Sequence, residues 1–589
     1  MNDFVNYLNT LHSYRAENNN SYSESNISSA FYDKTSVRNC VADNIVSLLK
    51  DSSHPQVIVL TGHAGDGKTS IMYEVLKEFD INLAEHLHEK AFEIDLGEKK
   101  CLCIRDFSEL SNDEDRAEEL RNSLQFVDEG NFVFIVTNTG PLLLSYKKLF
   151  SSEEEKDRQM SRLIDAMSSN TDEATQVGKL KVINVAEIDN TGFGVALLKN
   201  FLKPELWSSC ANCPNRASCP IYQNVELMSG NWNRVETFLR HYYIWLYEYG
   251  HRITARSVTE QIAFMITGGK YCGDRSNSRS ELLFPNLFFG YYGRKTEKAA
   301  LRISAVNLAY SIHLDEKRLR VDEDLFINKK YLEEKQVIFP QEVADILKDE
   351  EAKESTSVLT SSEYHNMIHR LYFFLSMNYH SDPDSNADAE DVFSPIFPQY
   401  LSIRSGKEEP KQSQFKYLFR ALLQIYIGSF SSKTDCLYIT LNRRDSAVQN
   451  VQLIVYQLNY EDFSFSAENI SPFSFVESNN PQRRIFLWYN RRHSEYSTID
   501  KGKINCPITL PLLDYFYGIS QGIISTDIDA QLSHGVESLK AELTKAVRER
   551  NKEKVMNSTS AKLDFLILKN TEDTRHIVEI HDDSFEIDK

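Results

Sequence analysis

Gln56-Val57-Ile58-Val59-Leu60-Thr61-Gly62-His63-Ala64-Gly65-Asp66-Gly67-Lys68-Thr69 is the stretch that decides the fold. Its first six residues run apolar without alternation, as a strand covered on both faces does. The next eight match G-x-x-x-x-G-K-[ST] in full. Thr69 to Phe79 then carries apolar residues at helical spacing. Strand, glycine-rich turn and helix in that order make an anion cradle. Gly62, Gly65 and Gly67 let successive N–H groups turn toward phosphate oxygens, with His63, Ala64, Asp66 and Ser70 completing the loop and its exit. Lys68 supplies a charge to the β/γ-phosphates and Thr69 a hydroxyl for Mg²⁺. The helix directs its positive end at the same place. ATP with Mg²⁺ is the expected ligand.

Working outward, strands are expected at Ala91–Leu96, Cys101–Asp106, Phe132–Asn138 and Leu180–Ala186, with helices at Val37–Leu49, Asp113–Phe126 and Ser151–Met167. Alternation of this kind predicts an α/β fold with a parallel sheet covered on both faces. The short gap between Ala91–Leu96 and Cys101–Asp106 does not fit a helical crossover. Five segments are expected: a helical and loop segment at 1–55, a P-loop NTPase core at 56–195, and a helical lid at 196–300. A mainly helical region at 301–405 and a mixed α/β interaction domain at 406–589 follow. The acidic run Asp382–Asp391 and the Gly/Pro/charge-rich run Arg404–Gln414 read as breaks. Strands at Leu437–Leu441, Val451–Leu458 and Ile485–Tyr489, a helix at Gly535–Lys552 and a hairpin of Leu563–Leu568 with His576–Ile580 are expected beyond them.

Hydrolysis needs more than a cradle. Asp106, closing a buried strand, is the candidate second Mg²⁺ ligand, and Glu109 the candidate for positioning water; both also suit a helix cap. Asn138, at the end of Phe132–Asn138, is placed to bond the γ-phosphate or the attacking water, or else to make a turn. Arg256 opens a helix of the lid and could reach the same phosphate. Arg158 and Arg162 are candidates for acting on a neighbouring subunit in an oligomer.

Cys210-x₂-Cys213-x₅-Cys219 can converge on one ion. Cys272 is the expected fourth ligand, with His241 and His251 as substitutes. Structural Zn²⁺ bracing the lid is the expected occupant and an iron–sulfur cluster the alternative. Arg483-Arg484-Ile485-Phe486-Leu487-Trp488-Tyr489-Asn490-Arg491-Arg492 is the most basic run. It suits either a nucleic-acid grip, helped by Arg443-Arg444, or a core strand with solvated ends.

Composition bounds the rest. The 589 residues are 41% hydrophobic, 26% charged and 11% aromatic, which excludes collagen-like and wholly disordered chains. With 66 basic against 85 acidic residues the net charge is −19, so DNA is expected to be reached through a partner or a local basic patch. No apolar run spans a membrane. The first residues carry no secretion pattern, and nine cysteines then suggest a reducing, cytoplasmic setting.

The Gly62–Thr69 loop, the Asn138-Thr139-Gly140 strand end and the Cys210/Cys213/Cys219 group together resemble P-loop ATPases of bacterial defence islands. Among them they resemble the F component of the phosphorothioation-dependent DNA restriction system. The Asn138 position is similar to the sensor of AAA+ and related signalling NTPases. That resemblance covers Gln56 to Cys272, and the acid usually paired with Asp106 is replaced by Phe107. It implies an ATPase subunit working with other defence subunits to restrict foreign DNA. The alternatives are a signalling NTPase switched by ATP-driven oligomerisation and a scaffold holding structural ATP.

Overall fold

The computed structural model describes residues 2–15, 26–51, 53–86, 88–97, 99–110, 112–168, 175–274, 280–330, 339–354, 362–377, 392–428, 436–441, 450–469, 483–492, 499–523, 528–551, 561–568, 574–581 and 584–588. The expected break at Asp382–Asp391 and the pair Arg443-Arg444 lie outside them. The chain forms two compact units, one of Met1–Phe393 and one of Ser394–Ile470 with Gln482–Lys589. It is a mixed α/β protein with many helices.

In the first unit, β1 (Val57–Thr61), β2 (Ala91–Asp95), β3 (Lys100–Ile104), β4 (Phe132–Val136), β5 (Gln176–Val177) and β6 (Leu180–Asn184) form one sheet in the order β2-β3-β4-β1-β6-β5. The four central strands are parallel. β1 and β4 are buried at every position, which is why neither alternates in sequence. Their side chains join Leu120, Leu142, Leu163 and Met167 from covering helices in one core.

The parallel expectation fails at both edges. β2 runs antiparallel to β3, and β5 antiparallel to β6. Four residues separate Asp95 from Lys100, enough for a hairpin and too few for a crossover. β2 accordingly alternates exposed and buried, as an edge strand does.

From Phe193 onward this unit is helical: Phe193–Phe201, Pro220–Gly230, Trp232–Glu248 and Ala255–Thr267, then Phe284–Phe288, a small hairpin of β7 (Tyr291–Tyr292) with β8 (Lys295–Thr296), and Ser362–Leu375. The N-terminal helix Asp3–Thr10 docks on this part. Phe4 is fully buried, with its ring 5.9 Å from Phe201 and 5.4 Å from Trp207.

The second unit is antiparallel. β9 (Cys436–Leu441), β10 (Val451–Asn459), β14 (Ala561–Ile567), β15 (Thr574–His581) and β16 (Ser584–Asp588) pair in the order β16-β15-β14-β10-β9. The expected Leu563/His576 hairpin is β14 with β15. β11 (Phe463–Asn469), β12 (Arg483–Arg492) and β13 (Ile499–Ile508) form a second sheet with β12 in the middle. Ile485 and Leu487 are buried there, so the basic run contains a core strand. Arg483 is engaged by Glu409 at 2.7 Å and by the Ala467 carbonyl at 2.9 Å. Trp488 donates to the Ser466 hydroxyl at 2.7 Å.

Candidate functional site

Parallel strands place their C-terminal ends along one edge of the sheet, where ligands of open α/β sheets sit. Gly62–Thr69 follows β1, Asp106 follows β3 and Asn138 follows β4, so all three reach that edge. A cavity of about 360 Å³ opens there. Ala64, Gly65, Gly67, Lys68, Thr69, Ser70, Asp106, Glu109, Asn138 and Arg256 all line it. Gly62, His63 and Asp66 do not; they build the loop from behind.

The loop's shape explains its glycines. Gly65 has φ +87°, and a Cβ there would meet Thr254 Oγ1 at 3.1 Å and Arg256 Cβ at 3.3 Å. Its carbonyl accepts the Arg256 N–H at 3.1 Å, which ties the helix Ala255–Thr267 to the loop. Asp66 is turned inward, 3% exposed. Its Oδ2 accepts the His63 N–H at 2.6 Å, and its Oδ1 pairs with Arg252 at 2.9 Å. Asp66 therefore braces the loop. The reason is electrostatic: a carboxylate facing phosphates would repel them, whereas here it neutralises Arg252. Arg252 went unmarked in the sequence, where nothing signals a partner 186 positions from Asp66.

Lys68 is 9% exposed. Its Nζ donates to the His63 carbonyl at 2.7 Å, the Gly62 carbonyl at 3.3 Å and Asn138 Oδ1 at 2.9 Å. Burial lowers its pKa, and the charges of Asp66 and Asp106 oppose that shift. β4 lies between β1 and β3, and strands are spaced about 4.8 Å apart. Asn138 is thus one strand from Lys68 and Asp106 two, roughly 10 Å across the edge. That order decides which side chain touches the lysine.

Asn138 and Asp106 separate the two expectations held for each. Asn138 stands at the N-cap of the helix Thr139–Lys147, yet its side chain makes no cap bond and accepts from Lys68 instead. Its own N–H donates to Ser108 Oγ at 2.9 Å. Asp106 does cap: its Oδ1 accepts the Ser108 N–H at 2.9 Å, leaving Oδ2 as the atom it would offer a cation. Glu109 ends the same short helix and faces the cavity. Arg158 and Arg162 are exposed on Glu153–Met167 and line no part of the cavity.

The far wall came from residues not singled out in sequence. Tyr7, Leu11, Tyr32, Val37, Asn39 and Glu74 line the cavity as well, together with Phe193, Leu197 and Phe201. The Tyr32 hydroxyl bonds the Ser70 side chain, so the N-terminal segment rests on the helix Lys68–Lys77. Glu74 accepts the Asn39 N–H at 2.8 Å. Burial pushes the Glu74 carboxyl up to about 7 from its ordinary 4.5, against the pull of that N–H and of Arg38.

This yields a stability prediction. Glu74 keeps its proton in the folded chain to about pH 7 and loses it near 4.5 when unfolded. Its stabilising contribution is full below about 4.5, is lost as pH rises to about 7 and is flat above. The difference is of order 3 kcal/mol. Glu74→Gln keeps the acceptor for Asn39 and is expected to flatten this loss, measured as the urea midpoint between pH 4.5 and 8. Identical slopes for the variant and the parent would show that Glu74 titrates normally.

The cysteines gather in part. Asn2 donates from its N–H to Cys272 Sγ at 3.4 Å and from Nδ2 to Cys210 Sγ at 3.3 Å. Cys219 is raised in pKa first by burial and then by Cys272 and Cys210 nearby. Cys213 is exposed. Among the described residues, no group of three or more His, Cys, Asp and Glu is arranged to hold a metal ion. His241 is engaged elsewhere, its ring 6.2 Å from Phe393, and His251 lies beside Asn190 and Tyr247.

No helix among the described residues is long and apolar enough to cross a membrane. No protein-family model matches the chain, and no curated protein matches it in sequence.

Proposed function

We propose that this chain is a Mg²⁺-dependent P-loop ATPase whose loop is Gly62–Thr69. One observation carries the reading: a buried lysine held by two loop carbonyls and by Asn138, at the mouth of a cavity that Thr69 and Asp106 also line. Lys68 Nζ would exchange those carbonyls for phosphate oxygens when nucleotide binds. Mg²⁺, when bound, neutralises charge developing on the transferred phosphoryl group. Thr69 Oγ1 and Asp106 Oδ2 are the atoms that would hold it. Asn138 would follow Lys68 to the γ-phosphate, and Glu109 would orient water. Arg256, tied through its N–H to Gly65, would report loop occupancy to the helix Ala255–Thr267.

Turnover of the purified chain with and without Mg²⁺ tests this. Asp106→Ala is expected to retain nucleotide binding and lose at least about 100-fold in Mg²⁺-dependent turnover. Since Asp106 also caps Ser108, Asp106→Asn serves as the control that keeps the cap. Full turnover in both variants would remove Asp106 from the metal site.

Zn²⁺ at Cys210, Cys213, Cys219 and Cys272 is proposed as a structural brace, with Cys213 turning in to complete four ligands. The two Asn2 N–H groups on Cys210 and Cys272 support it, because amide donors favour thiolate over thiol. Elemental analysis is expected to give about one zinc per chain, falling in Cys210→Ser. Protein free of both zinc and iron after growth with each would reject it.

A place in a multi-subunit DNA restriction assembly of the cytoplasm rests on the motif resemblance alone. DNA-stimulated turnover in the presence of co-purifying neighbours would support it. Trigger-dependent oligomerisation without DNA would favour the signalling alternative.

A further inference from the structure

Asn2 is 7% exposed, and every polar group it carries is engaged. Its N–H donates to Cys272 Sγ at 3.4 Å. Its Nδ2 donates to Cys210 Sγ at 3.3 Å and to the Leu206 carbonyl at 3.0 Å. Its Oδ1 accepts the Phe4 N–H at 3.0 Å, capping the helix Asp3–Thr10, and its carbonyl accepts the Val5 N–H at 3.1 Å. One residue thus spans two sulfurs that stand 62 positions apart in the chain, and also starts a helix. Cys219 lies near both sulfurs.

That helix leads from the cysteines to the cavity. Its eight residues are too few to stay helical alone in water, so its place is set by what it docks on. Phe4, Val5 and Leu8 form its buried face. Tyr7, and Leu11 just past its end, line the cavity that Gly65, Gly67 and Lys68 also line. Asn9 fastens it to the end of the helix Ala255–Thr267: its Nδ2 donates to the Lys270 carbonyl at 2.7 Å, and its Oδ1 accepts the Thr267 hydroxyl at 2.8 Å. The helix Ala255–Thr267 makes the same journey in reverse. It begins beside the Gly65 carbonyl, which takes the Arg256 N–H, and ends five residues before Cys272.

We infer that the cysteine site and the nucleotide cavity are coupled, with Asn2 as the positioning residue that links them through the helix Asp3–Thr10. This rests on the zinc and nucleotide readings above and adds a regulation to them. When Cys210, Cys213, Cys219 and Cys272 share an ion, the separation of the two sulfurs that Asn2 spans is fixed. Asn2 is then seated, the helix starts at a fixed point, and Tyr7 and Leu11 are held at the cavity wall. Without the ion the hold on the helix is weaker and so is the wall it supplies. By linkage, a nucleotide that needs that wall must tighten the hold on the ion by the same factor.

Zinc affinity of the full chain is measured by competition with a colorimetric chelator, with and without ATP and Mg²⁺. ATP affinity is measured before and after the zinc is stripped. ATP is expected to raise zinc affinity at least about fivefold, and stripping to weaken ATP by the same factor. Amide exchange over Phe4–Leu11 should quicken at least about fivefold in the stripped chain. Asn2→Asp keeps the oxygen cap on Phe4 and removes the Nδ2 donor. It should shrink the effect of ATP on zinc affinity to less than about twofold. A residue serving the fold alone would lower stability and leave that ratio where it was. Zinc affinity indifferent to ATP, in a parent that binds both, would overturn the coupling and leave both sites standing. An unchanged ratio in Asn2→Asp would overturn the role of Asn2. A parent that holds no zinc, or binds no ATP, would overturn that reading and the coupling with it.

Discussion

Lys68→Ala is expected to lower turnover of ATP by at least about 100-fold, which is about 2.7 kcal/mol of transition-state stabilisation, without unfolding the chain. The charge it removes is aimed where phosphate would sit, and its present partners are two carbonyls and one amide oxygen. Asn138 lines the cavity and His63 is exposed, so water can replace the ammonium at those acceptors and the fold loses little. Removing a charge that burial already disfavours even offsets part of the lost bonding. The unfolding free energy from urea titration should therefore stay within about 1 kcal/mol of the parent's. Asn138→Ala should cost less, about tenfold, since Lys68 keeps its two carbonyls. Turnover of Lys68→Ala within threefold of the parent would remove the loop from any catalytic role.

What could be read in advance follows from where burial is local. β1 and β4 are buried on both faces, so their apolar runs were visible without knowing the neighbours. The loop glycines, Lys68 and Asn138 sit within a few residues of those strands and came with them. The far wall did not. Tyr32 precedes the expected helix Val37–Leu49, and Val37 and Asn39 open it. Helical periodicity alone does not mark them as lining a cavity whose other residues include Phe193, Leu197 and Phe201, more than 150 positions away. The role of Asp66 was likewise fixed by Arg252, outside any motif. Capping and catalysis use the same residue types at strand ends. Only the direction of each side chain separated Asp106, which caps, from Asn138, which does not.

Arg370→Ala is expected to destabilise the first unit by about 3–5 kcal/mol, the largest effect on folding. Arg370 is fully buried on Ser362–Leu375 and pairs with Asp315, itself 2% exposed. Its Nε donates to Asn286 Oδ1 at 3.0 Å and its NH2 to the Gly293 carbonyl at 3.0 Å, and its guanidinium lies 3.8 Å over the Tyr291 ring. Truncation strands the Asp315 carboxylate in the core with no cation. Arg370→Met combined with Asp315→Asn removes both charges and should recover most of the loss, because the cost lies in the unpaired charge and not in the missing pair. Tryptophan fluorescence can follow this, as Trp207, Trp232 and Trp245 belong to the first unit and only Trp488 to the second. The brace reaches the cavity indirectly: Asn286 lies in Phe284–Phe288, which packs on the helix Ala255–Thr267 carrying Arg256 and Thr259. Nucleotide affinity should accordingly be unchanged wherever the variant is still folded. A double variant no more stable than Arg370→Ala would mean that the guanidinium contributes through its contacts to Asn286, Gly293 and Tyr291, and that its charge is incidental.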